Sequence, residues 1–173
     1  MKEIIVKEAN PKDITILQQI GRDTFFETFS STNSAEDMKK YLAESFSTEK
    51  LLSELNHPDS LFFIAWHDQV SVGYLKLNTG QAQTELQDDT AIEIERIYVK
   101  KEYHGLKVGQ ILYEKAFETA HHLQKSYLWL AVWEENHRAV AFYQKNGFVA
   151  FDQHIFKLGS SEQTDIMMKK ALN

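Results

Sequence analysis

The stretch EIERIYVKKEYHGLKVGQ, residues 93–110, decides the fold of this chain. It begins as a β-run, passes through a charged connection into a glycine-bearing loop, and ends where a long amphipathic helix starts. A helix start offers unpaired backbone N–H groups and the positive end of the helix dipole, so a loop placed there brings phosphate oxygens close to the backbone. An anion site is expected at this junction.

Side-chain direction repeats every second residue along a strand. Ala91–Val99 is therefore expected to place Glu93, Glu95, Ile97 and Val99 on one face and Ile92, Ile94, Arg96 and Tyr98 on the other. Carboxylates taken out of water need partners, and two of them heading an otherwise apolar face suggest a cleft opening onto the sheet. The competing account is an exposed face on which both pair with Lys or Arg.

Downstream, Val108, Ile111, Leu112, Ala116, Phe117, Ala120 and Leu123 form one apolar stripe over residues 106–124. Tyr127–Trp133, YLWLAVW, is a nearly continuous apolar strand. Strand, crossover helix and apolar strand make a βαβ unit with parallel strands, and ligands of such units gather at the strands' carboxyl ends. Asn136 can cap the next helix, which Gly147 ends, and Val149–Leu158 with residues 164–170 read as a terminal hairpin across Gly159, Ser160 and Ser161.

Upstream, residues 3–8 alternate as a strand, and Asn10-Pro11 starts a helix that runs to about Phe29. Further helices are expected over residues 34–46, capped by Ser34, and 48–55, capped by Thr48. Residues 61–66 and 70–77 read as a hairpin around Asp68-Gln69, followed by a long polar loop whose Asp88-Asp89 pair is expected to be solvated. Glu27, Phe29 and Tyr41 together could line a pocket for an amine with an alkyl stem, although the two aromatics suit a core better and Glu27 a solvated position. The whole reads as a single α/β domain over residues 1–173, a mixed twisted sheet of about seven strands with helices on both faces.

Composition narrows the function classes. The net charge of −6 counts against a general nucleic-acid surface and suits a cationic small substrate better. Cysteine is absent, which excludes disulfides, thiolate metal sites and a thiol nucleophile. No apolar run suggests a signal segment or a membrane span, so a cytoplasmic protein is expected. The seven histidines show no His-Glu-x-x-His spacing, and no metal is implied.

The strand ERIYV, the loop HGLKVGQ at a helix start and the block NHRAVAFYQKNGF resemble the GNAT superfamily of acyl-CoA-dependent N-acetyltransferases. With TFFETF, EIERIYV, VWEENHRAVAFYQKNGF and the tail EQTDIMMKKAL, the chain is similar over most of its length to bacterial PaiA-type spermidine/spermine N-acetyltransferases. The family's loop pattern falls on His104, Lys107 and Gly109, of which only Gly109 matches; Lys107 stands where the family has a glycine.

The resemblance implies acetyl-CoA as co-substrate, held by Ile97, Tyr98, Val99, His104, Gly105, Leu106, Lys107, Val108, Gly109, Gln110, Asn136, Tyr143 and Lys145. It implies a primary amine as acceptor, a polyamine such as spermidine or spermine, and the residues expected to receive it are Glu27, Phe29, Tyr41 and Glu95. An ammonium must lose its proton before attacking a thioester, which makes Glu95, Glu93 or a water the expected base, with greater weight on Glu95. Tyr143 is the implied acid for the departing sulfur. Backbone N–H groups around Tyr98 and Val99 would meet the developing oxyanion if a bulge frees them. A protein N-terminus or another small amine is the rival acceptor, a non-catalytic acyl-CoA-binding module the rival class, and a homodimer through the terminal hairpin a further expectation.

Overall fold

The computed structural model describes residues 3–172. In chain order the elements are β1 (Ile4–Glu8), α1 (Ile14–Phe29), α2 (Ala35–Ser45), α3 (Thr48–Asn56), β2 (Ser60–His67), β3 (Val70–Asn78), β4 (Ala91–Val99), α4 (Val108–His122), β5 (Tyr127–Trp133), α5 (His137–Lys145), β6 (Val149–Leu158) and β7 (Ser161–Ala171). The expected mixed sheet has seven strands in the order β1-β2-β3-β4-β5-β7-β6. Among the described residues only β4 and β5 run parallel, as the βαβ unit requires, because α4 carries the chain back between them.

Local chemistry sets the helix starts. Asn10 and Asp13 form a reciprocal capping box around Pro11, one short turn ahead of α1. Ser34 caps α2, and Ser47 caps α3 by accepting from the Lys50 N–H at 3.2 Å. The cap of α3 is thus Ser47 and not Thr48: either hydroxyl could serve, and Ser47 holds the extended backbone that a cap needs. The final hairpin is longer than its apolar pattern suggests. Its second strand begins at Ser161, leaving Gly159 and Ser160 as the turn.

Helices α4 and α5 cover one sheet face, where Val108, Leu112, Tyr113, Ala116, Ala120 and Tyr143 pack against Leu75, Leu77, Ile92, Ile94, Leu128 and Leu130. On the opposite face α1 packs Leu17 and Ile20 against Phe62, Ile64 and Tyr74, while Phe25, Met38, Phe46 and Leu51 join α1, α2 and α3. The 79–90 loop folds over the start of β4 and β5: the Trp129 indole donates to Gln83 at 2.8 Å, and Thr84 donates twice to Glu93.

One irregularity governs the site. The β3–β4 register pairs Leu77 with Ile94 and Lys76 with Arg96, so Glu95 is an extra residue, a β-bulge. The period-two expectation therefore fails beyond Ile94. Ile92, Ile94, Ile97 and Val99 all face α4, whereas Tyr98 packs against the opposite clusters with α1 and Arg96 reaches Glu54 on α3. Pairing of β4 with β5 stops at Glu93 and Trp129, although both strands continue. A wedge opens between their carboxyl ends.

Gly73 on β3 permits this arrangement. A Cβ there would lie 2.5 Å from the Tyr98 carbonyl oxygen, so β4 approaches β3 more closely than any side-chain-bearing residue would allow.

Candidate active site

A cavity of about 930 Å³ fills the wedge and runs along the start of α4 to α5. Its walls come from β4 (Ile97, Tyr98, Val99), the loop and first turn of α4 (His104, Gly105, Lys107, Val108, Gly109, Gln110), the end of β5 (Trp133), the start and body of α5 (Asn136, Phe142, Tyr143, Lys145), and Thr24, Glu27 and Thr28 on α1. Of the residues expected at the cofactor, only Leu106 stays outside this wall.

The anion end can be tested against the residues present. Among the described residues α4 has no side-chain cap, in contrast to α2, α3 and α5. Its first residues, Val108, Gly109 and Gln110, line the cavity, and as the first turn of a helix they have backbone N–H groups without an intrahelical acceptor. A Cβ at Gly105 would meet nothing within 4 Å, and one at Gly109 only Val99 Cγ2 at 3.9 Å, so space beside both backbones is open. This is a fitting cradle for phosphate groups. Lys107, in the glycine position of the family pattern, takes the left-handed conformation that glycine favours, φ 65°.

Three contacts fix the cradle that sequence spacing does not reveal. His104 Nε2 bonds the Val99 carbonyl at 3.0 Å, while its Nδ1 meets an Arg138 guanidinium nitrogen. A carbonyl only accepts and a guanidinium only donates, so these partners select the neutral Nε2–H tautomer. Both ring nitrogens are then engaged, and Arg138, rather than His104, presents the cation. Gln110 and Asn146 exchange two amide bonds, at 3.0 and 3.2 Å, tying the start of α4 to the end of α5.

The expected acid and base residues separate. Tyr143 lines the cavity with 6 % of its surface exposed, and burial pushes its phenol above the ordinary value. Glu93 and Glu95 do not line it. Glu93 is held by Asn78 and Thr84, and burial raises its carboxyl despite those hydrogen bonds. Burial also pushes the Glu95 carboxyl up, but the Arg96 guanidinium and the Lys76 ammonium outweigh it and hold the group below its ordinary value.

Of the residues expected at the acceptor, Glu27 lines the cavity and is exposed. Phe29 and Tyr41 lie beneath it in an aromatic layer: Phe29 packs on Phe25 at 4.4 Å and Trp133 at 5.2 Å, and Tyr41 on Phe25 at 4.5 Å. Thr24, Thr28, Trp133 and Arg138 are wall residues that lie within the quoted stretches but carry no expected site role, since only the closure of α1 and α5 over the wedge brings them together.

The Acetyltransferase (GNAT) family model matches residues 20–148. The chain belongs to this family. The acetyltransferase is 40 % identical over 172 residues, 99 % of each chain, to an uncharacterized N-acetyltransferase in the pepI 3′ region of Lactobacillus delbrueckii subsp. lactis. It is 26 % identical over 171 residues, 96 % of each chain, to the spermidine N(1)-acetyltransferase of Thermoplasma acidophilum. Among solved structures it superposes on the PaiA N-acetyltransferase of T. acidophilum in complex with coenzyme A with a TM-score of 0.82, at 26 % identity, covering 98 % of this chain and 99 % of that one. The ribosomal-protein-S18-alanine N-acetyltransferase of Escherichia coli shares the fold, with a TM-score of 0.74 at 14 % identity, covering 98 % and 94 % of the two chains.

Proposed function

We propose that this acetyltransferase moves an acetyl group from acetyl-CoA to a primary amine, with a linear polyamine such as spermidine as acceptor. The observation that carries the reading is the wedge between β4 and β5 meeting the uncapped start of α4 in one cavity that also contains Tyr143. The coenzyme A complex of the T. acidophilum PaiA N-acetyltransferase and the name of the T. acidophilum spermidine N(1)-acetyltransferase support the two halves of the assignment.

Bound there, acetyl-CoA supplies an acyl group activated as a thioester. The backbone N–H groups of Val108, Gly109 and Gln110, with Lys107 and Arg138, hold its phosphates, while Ile97, Ala139 and Phe142 give the cavity apolar walls. The β4 backbone beyond Glu93 has no β5 partner and offers donors to a developing oxyanion.

Tyr143 keeps its proton at neutral pH, because burial raises the phenol, and donates it as a hydrogen bond toward the departing sulfur. Glu27, at the α1 side of the cavity, attracts the incoming ammonium. Glu95 is a poor direct base in its ion pair with Lys76, so we assign the amine's proton to water, with Glu95 acting at one remove.

The test is CoA thiol release by the purified protein with acetyl-CoA, with and without spermidine, beside a panel of N-terminal peptides. Spermidine-dependent release that falls in Tyr143→Phe is expected. Release with peptides alone would replace the acceptor, and stabilisation by acetyl-CoA without release to any amine would replace the reaction with binding.

A further inference from the structure

Trp133 and Glu135 line two cavities, not one. The second, of about 360 Å³, lies where the end of β5 meets the β6–β7 turn, and its wall includes Thr32, Glu134, Glu162, Gln163 and Thr164. It carries three glutamates and no lysine or arginine. Two of the acids have distant, exposed partners, Glu162 with Lys157 at 3.7 Å and Glu135 with His137 at 3.5 Å, and such pairs neutralise little.

A second observation gives this acidity a direction. Gln163 is only 9 % exposed, and its Oε1 has no hydrogen-bond partner among the described residues. A buried acceptor without a donor is uncommon and calls for an occupant that donates. Carboxylates and an orphan carbonyl together ask for a cation bearing N–H groups. Among the described residues no three His, Asp or Glu side chains are placed to hold a metal ion, which favours an organic ammonium over a divalent cation.

The shared wall supplies the connection. A molecule reaching from the large cavity into the recess passes Trp133, whose ring offers apolar contact to methylene groups and a negative face to a nearby ammonium. We propose that this recess binds the distal ammonium of a linear di- or polyamine whose reacting nitrogen lies in the neighbouring cavity. The proposal rests on the amine-acceptor reading above and adds to it a determinant of specificity: Glu134, Glu162 and Gln163 select acceptors by a second positive charge.

The experiment compares wild type with the Glu134→Gln/Glu162→Gln double variant, both checked by thermal melting. Steady-state acetylation of spermidine and of n-butylamine is measured, together with calorimetric titration of spermidine into the protein. Both substituted side chains are exposed, so the fold is expected to persist. For spermidine, about a tenfold rise in KM and a matching loss of affinity are expected, with kcat within twofold. The KM values for n-butylamine and acetyl-CoA should not move. Acetylation of spermidine with unchanged KM and affinity in the double variant, or equal losses for both amines, overturns the recess and leaves the acetyltransferase reading standing. Spermidine binding that is weakened in the variant but never followed by acetylation keeps the recess and overturns the acceptor. Absence of both binding and acetylation in wild type overturns both.

Discussion

Lys76 on β3 and Glu95 on β4 form an ion pair at the bulge where β4 begins to part from β5. Lys76 is only 4 % exposed and also lies 3.2 Å from Glu54, which in turn holds Arg96 through two bonds, at 2.8 and 3.2 Å. Two cations and two carboxylates thus pair with one another between β3, β4 and α3. Removing one member leaves its partners charged and out of water.

Lys76→Met is therefore expected to destabilise the fold by about 3 kcal/mol, the scale for breaking a buried pair from one side. Urea denaturation followed by tryptophan fluorescence reads this as a lower midpoint with an unchanged slope. A midpoint within error of wild type would show that the pair does not hold the bulge.

The same pair predicts an acid limb. Glu95 titrates below its unfolded value in the folded chain, so its contribution is complete above the unfolded value near ~4.3 and is lost as pH falls through the lower folded value. Glu93 has the opposite sign: its raised carboxyl favours the folded state at low pH, and that advantage disappears as pH rises through the folded value. Stability measured from pH 6 down to pH 3 should fall less steeply in Glu95→Gln than in wild type. An equal slope would remove Glu95 from the acid response.

Most of the architecture was legible because it follows from periodicity. The stripe on α4, the apolar run of β5 and the caps at Asn10, Ser34 and Asn136 each record a local preference that packing then used. The bulge at Glu95 left no such trace, since any residue can occupy a bulge and the decision belongs to the pairing of β4 with β3. Losing it exchanged the faces of Ile97 and Tyr98, and with them the surroundings of Glu95. The cavity wall from Ile97 to Gln110 was readable from one loop, whereas Arg138, Thr24 and Thr28 come from elements distant in sequence that only tertiary closure brings near.

Lys107 offers a separable prediction. Its left-handed conformation costs a side-chain-bearing residue ~1–2 kcal/mol, while glycine loses ~0.5–1 kcal/mol of additional chain entropy on ordering. Lys107→Gly should stabilise the protein by about 0 to 1.5 kcal/mol, and Lys107→Ala should not stabilise it. If the ammonium holds a phosphate, both variants raise the KM for acetyl-CoA at low salt and converge with wild type at high salt, where exposed charges are screened. An unchanged KM in both would leave phosphate binding to the backbone of α4 and to Arg138.

Tyr143→Phe should lower kcat about 10²-fold, within the range for a positioned proton donor, with little change in melting temperature. Because burial raises the phenol, wild-type turnover should climb with pH as the amine deprotonates and show no falling limb from this group below about pH 10. A wild-type falling limb near neutrality that disappears in Tyr143→Phe would contradict the raised value.

Glu27 separates attraction of the reacting nitrogen from capture of a distant one. It lines the main cavity, far along the chain from Glu134 and Glu162 in the second recess. A carboxylate about 4 Å from an ammonium contributes ~1–4 kcal/mol between water and a protein-surface dielectric, and the exposure of Glu27 places it toward the lower end. Glu27→Gln should thus raise the KM of spermidine and of n-butylamine alike, by about three- to tenfold, leaving kcat within twofold and thermal stability unchanged. A loss confined to spermidine would move Glu27 from the reacting nitrogen to a remote one. A loss in kcat with constant KM would instead make Glu27 the group that takes the proton, in place of water.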